Sequence, residues 1–79
     1  MNIKILGSGC ANCKKLQQVA MEAVKEMGVE ADFEKIEDIQ RIMGYGVMRT
    51  PALVINEKVK VFGRVPSKDE IKKHIEDEM

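Results

Sequence analysis

Residues 7–16 read GSGCANCKKL, and both cysteines of the 79-residue chain, Cys10 and Cys13, lie within them. What flanks the pair decides what it belongs to. Ahead of it, residues 3–6 are a short run rich in Ile, stopped by Gly7-Ser8-Gly9, and they predict a strand. Behind it, Leu16, Val19, Ala20, Ala23, Val24 and Met27 recur at steps of 3, 1, 3, 1 and 3. That is the spacing of one helix face, and Gly28 supplies a stop. The C-x-x-C therefore stands where a strand ends and a helix begins.

The same reading extends to the rest of the chain. Val29, Ala31 and Phe33 alternate with polar residues, predicting a second strand. Ile36, Ile39 and either Ile42 or Met43 return to helical spacing, and Gly44 ends the run. After a glycine-containing loop, ALVIN (residues 52–56) is a compact apolar strand and EKVKVFG (residues 57–63) alternates again. Asn56-Glu57 between them reads as a hairpin turn, since Asn tolerates positive φ. Ser67, with Glu70 three residues on, is a capping box, and Ile71 and Ile75 form a narrow stripe on the helix it opens. The order is βαβαββα. The first βαβ unit is expected to be right-handed and the last two strands antiparallel. This predicts an α/β domain over residues 1–79, a four-stranded mixed sheet flanked by three helices. Phe33, Leu53, Val54, Ile55 and Phe62 are expected in its core.

Composition narrows the function. Charged residues make up 33% of the chain and apolar ones 44%, as in ordinary globular proteins. The 13 basic and 13 acidic side chains cancel and are interspersed, which argues against nucleic acid or a membrane surface as partner. No apolar run approaches the ~20 residues of a membrane helix, and the start MNIKILGSGC lacks the apolar core of a signal peptide. The expectation is a cytoplasmic protein. Thiols there stay reduced, and a crosslink over two intervening residues removes little chain entropy, so a structural staple is disfavoured.

Two chemistries remain for Cys10 and Cys13. At a helix start, unpaired N–H groups and the positive end of the macrodipole favour a thiolate by up to ~2 kcal/mol. Cys10 is placed to feel both and to act as nucleophile, while Cys13, one turn further in and more buried, resolves the mixed disulfide. Ala11 and Asn12 between them tune the couple. Alternatively, two thiolates at this spacing suit Cu(I). Zinc would need further ligands, and His74, alone among charged neighbours, reads as a solvated residue of the last helix.

Thr50-Pro51 separates the two. Its proline stands just before an apolar strand, where a missing N–H does least harm. The heavy-metal-associated domains of copper chaperones run strand, helix, strand, strand, helix, strand. This chain instead sets a helical pattern between its second and third strands and ends on a helix. GSGCANCKKL, GVMRTPALVIN and KVFGRVPSKDEI together resemble the small thioredoxin-like "redox-active disulfide protein" family of archaea and bacteria, over the whole chain. The resemblance implies a thioredoxin fold, a reversible Cys10–Cys13 disulfide, a cis peptide before Pro51, and thiol–disulfide oxidoreductase activity without cofactor or metal. It further implies that the backbone of Thr50 pairs with an extended substrate segment. The partners would be protein disulfides and a reductase or low-molecular-weight thiol, and a monomer is expected. Tyr45 and Met48 could join Ala11 and Asn12 as a contact surface, although Tyr45 equally suits packing on the sheet. Arg64 reads as a solvated surface residue. Thioredoxins carry a buried acid in the strand before the active site, and NIKIL has none.

Overall fold

The computed structural model describes residues 1–7 and 11–79. Its elements follow the order β1 (Asn2–Leu6), α1 (Ala11–Met27), β2 (Asp32–Ile36), α2 (Ile39–Gly44), β3 (Ala52–Ile55), β4 (Lys58–Phe62) and α3 (Lys68–Glu76). The strands form one mixed sheet in the order β2-β1-β3-β4. β1 runs parallel to β2 and antiparallel to β3, and β3 pairs antiparallel with β4. No helix among the described residues is long and apolar enough to cross a membrane.

Strand alternation sorts the apolar residues onto two faces. On one face, Ile3, Ile5, Leu53 and Ile55 meet Leu16, Ala20, Ala23 and Val24 of α1 and Ile71 and Ile75 of α3. On the other, Leu6, Ile36, Ala52 and Val54 meet Ile42 of α2 and Val47 of the following loop. Three helix ends carry a lock. Gly28 has φ +67, with its N–H on the Lys25 carbonyl and the Val29 N–H on the Val24 carbonyl, both at 3.3 Å. This pair of bonds is the Schellman arrangement. Asp38 caps α2 through its Oδ1, which accepts from the Gln40 N–H at 2.9 Å. Ser67 caps α3, its Oγ accepting from the Glu70 N–H at 3.2 Å. Half of the expected capping box forms, because the Glu70 carboxylate pairs with Arg64 instead of turning back to Ser67.

The hairpin turn lies where its sequence places it, with Asn56 at φ 51 and Glu57 at φ 67. Other boundaries move. The second strand begins at Asp32 rather than Val29, and Ile36 closes it instead of opening the helix. Pairing with β1 explains the shift: in parallel register Leu6 faces Ile36, so that residue completes the second core. Phe33 is only partly buried against the first core, because β2 is an edge strand. Phe62 departs furthest from expectation, at 57% exposed. A bulge in β4 opposite Leu53 and Val54 leaves Lys60 without a partner. It puts Val61 into the first core and Val59 against the second. Phe62, paired with Ala52 at the strand's end, is left in water.

Candidate functional site

The site forms where β1 ends. Gly7 continues the pairing with β2 by donating its N–H to the Ile36 carbonyl at 2.9 Å. Its φ of +151 is one an L side chain rarely adopts. The space demands glycine as well. A Cβ there would stand 2.2 Å from the Cys13 Sγ and 3.5 Å from the Thr50 Cβ. Gly7 is thus the point at which strand, helix and the loop before β3 converge, and only a residue without a side chain lets the sulfur in.

Cys13 lies in the first turn of α1, three residues from Leu16, and its side chain is fully buried. Ala11 and Asn12 precede it on the exposed side of the helix, as do Lys14 and Lys15 after it. Cys10 lies outside the described residues. Facing this turn, the Thr50–Pro51 peptide bond is cis. Pro51 is buried and its carbonyl accepts from the Gly63 N–H at 2.9 Å, tying the loop to the end of β4. Thr50 remains exposed. Cys13 and Thr50 are therefore gathered around Gly7, with Pro51 next in the chain.

Tyr45 is engaged differently. It packs against the second core, and its hydroxyl accepts from Lys4 Nζ at 2.9 Å and donates to Glu57 Oε2 at 3.0 Å. Lys4 also pairs directly with Glu57. That bond, then the one to Tyr45, raises the Lys4 pKa above its ordinary value. The bond from Lys4, then that from Tyr45, holds the Glu57 carboxyl below its own. Met48 stands 93% exposed. Arg64 is exposed but held by Glu70, whose carboxyl it lowers, and His74 Nε2 lies 3.8 Å from the same carboxylate.

Two residues escaped the sequence reading. Gly7 looked like punctuation, although its place between an apolar strand and the cysteine pair was the available signal. Lys4 is the one charge inside an apolar strand, and the structure buries it with a phenol and a carboxylate.

Comparison with known proteins places the sequence in a family. The sequence family described as Thioredoxin domain matches residues 1–76. The chain belongs to that family. It is 49% identical over 73 residues to a thioredoxin of Methanothermobacter thermautotrophicus, covering 92% of this chain and 95% of that protein. It is 32% identical to a thioredoxin of Methanocaldococcus jannaschii over 92% of this chain and 84% of the other. A probable thioredoxin of Methanothermobacter thermautotrophicus is 39% identical, over 100% of this chain and 96% of that protein. The thioredoxin-family chain is a thiol–disulfide oxidoreductase.

Proposed function

We propose that Cys10 is the attacking thiol and Cys13 the resolving one in the exchange this thioredoxin-family protein carries out. The Cys10 thiolate attacks one sulfur of a protein disulfide, forming a mixed disulfide and releasing the other substrate sulfur as a thiolate, which takes up a proton. Cys13 then gives up its proton and attacks the Cys10 sulfur. The Cys10–Cys13 disulfide forms and the second substrate thiol leaves. Two electrons pass to the substrate, and a reductase or low-molecular-weight thiol restores the dithiol. The backbone of Thr50, ahead of cis-Pro51, pairs with the extended substrate segment as an added strand. The protein acts as a monomer in the cytoplasm.

The observation that carries the reading is the buried Cys13 sulfur lodged against Gly7 beside Thr50, in a chain of this family. A sulfur so placed is shielded from bulk reagents and suits an internal partner better than an incoming substrate. The test is alkylation of the reduced protein against pH, together with reduction of insulin disulfides. Cys10→Ser is expected to abolish rapid alkylation and all turnover. Cys13→Ser is expected to keep the rapid phase and to trap mixed disulfides. Equal loss of the rapid phase in both variants would overturn the assignment of roles.

A further inference from the structure

Beside Thr50 the surface continues into a groove that the exchange chemistry does not itself require. It encloses about 620 Å³ and is lined by Ile39, Ile42, Met43, Val47, Met48 and Thr50. Single exposed apolar residues are ordinary on a protein surface. Here three of them share one groove: Ile39 is 66% exposed, Met43 67% and Met48 93%. The short helix α2 accounts for two. It turns Ile42 into the core and leaves Ile39 and Met43, four residues apart, in water.

Both signs of charge flank the groove in sequence, Glu37 and Asp38 ahead of Ile39, and Arg49 between Met48 and Thr50. Arg49, between Met48 and Thr50, lays its stem on Gly63, its Cβ 3.3 Å and its Cδ 3.4 Å from where a Cβ on that glycine would stand. Of the three arginines, Arg41 holds Glu34 and Arg64 holds Glu70. Arg49 has no carboxylate partner among the described residues.

We infer that this groove takes an extended segment of a partner protein in which the target cysteine is flanked by a large apolar residue and a carboxylate. The apolar side chain packs on Met43 and Met48, and the carboxylate meets Arg49. The inference rests on the exchange reading, which brings a disulfide-bearing segment to Thr50. Methionine is flexible and polarizable, so the groove selects apolar bulk over any one shape. The unpaired guanidinium selects the sign of the neighbouring charge.

The test uses four short peptides, each a symmetrical disulfide. Their cysteine is flanked on both sides by Leu and Glu, Leu and Lys, Ser and Glu, or Ser and Lys. Initial reduction rates with the pre-reduced protein are compared as ratios within each protein, so that overall loss of activity cancels. Leu is expected to beat Ser about tenfold, and Glu to beat Lys about fivefold. Arg49→Glu should invert the charge preference and Arg49→Gln should erase it. Met43→Ser with Met48→Ser should erase the Leu preference. Neutral hydroxyethyl disulfide is run beside them, and anisotropy measures binding of the same peptides carrying Ser for Cys. If the protein reduces hydroxyethyl disulfide while peptide ratios stay within about twofold, the groove inference falls and the exchange reading stands. If nothing is reduced but the Ser-substituted peptides bind with the expected preferences, the exchange reading falls and the groove stands. Preferences unchanged by every substitution also overturn the inference.

Discussion

Replacing Gly7 by alanine sets a carbon 2.2 Å from the Cys13 Sγ, where ordinary contact begins near 3.4 Å. Neither side yields easily. Cys13 is fully buried in a helix of 17 residues, and the Gly7 backbone is held by its 2.9 Å bond to Ile36. Overpacking of this kind costs about 1–3 kcal/mol. A side chain at φ +151 adds about 1–2 kcal/mol. The total of about 2–5 kcal/mol is a large share of the roughly 4–12 kcal/mol available to a chain this size. Two other glycines separate the contributions. Gly28, at φ +67 with nothing within 4 Å of an added Cβ, should lose only the backbone cost of about 1–2 kcal/mol on mutation to Ala. Gly44, equally open and without unusual φ, should gain up to about 1 kcal/mol. Urea unfolding of all three variants under reducing conditions, with slopes compared, gives the differences. A Gly7→Ala loss no greater than that of Gly28→Ala would refute the close approach of sulfur and strand, and with it the architecture assigned to the site.

The Ser67 hydroxyl satisfies the Glu70 N–H, so Ser67→Ala should lower stability by about 1 kcal/mol while Ser67→Asp preserves it, read as shifts in the urea midpoint. Glu26 joins α1 to α3 by pairing with Lys68 and Lys72, and those hydrogen bonds, Lys68 first, lower its pKa from 4.5 to about 2. Its folded-state pKa is depressed, so its contribution is present above pH 4.5 and is lost as pH falls toward 2. The stability gap between wild type and Glu26→Gln should close across that window, and a gap indifferent to pH would contradict the bridge.

Local signals were legible wherever one residue type has one use. Asn56 at a turn, Ser67 before a helix and Gly28 after one all took the predicted roles. The periodic face of α1 was also readable, with Leu16, Ala20, Ala23 and Val24 buried. Thr50-Pro51 was legible in combination with the cysteine pair rather than alone. What escaped depends on neighbours distant in sequence. Ile36 belongs to a strand because Leu6 pairs with it. Phe62 is exposed because Lys60 bulges two residues earlier. Lys4 can be buried because Glu57 and Tyr45 reach it from elsewhere in the chain. The Gly7–Cys13 contact is likewise a product of assembly, since neither residue's local pattern encodes a separation between them.

The sheet order has a consequence for how the protein is made. Of the four strands the first in chain order is an inner one, and Ile3 finds its antiparallel neighbour, Ile55, only after roughly fifty more residues have been added. At about 5–20 residues per second, translation leaves that greasy segment half-clothed for about 3–10 s. A nascent polypeptide halted after β2 already carries both cysteines, yet it would leave the β3 edge of β1 open to whatever holdase waits at the ribosome.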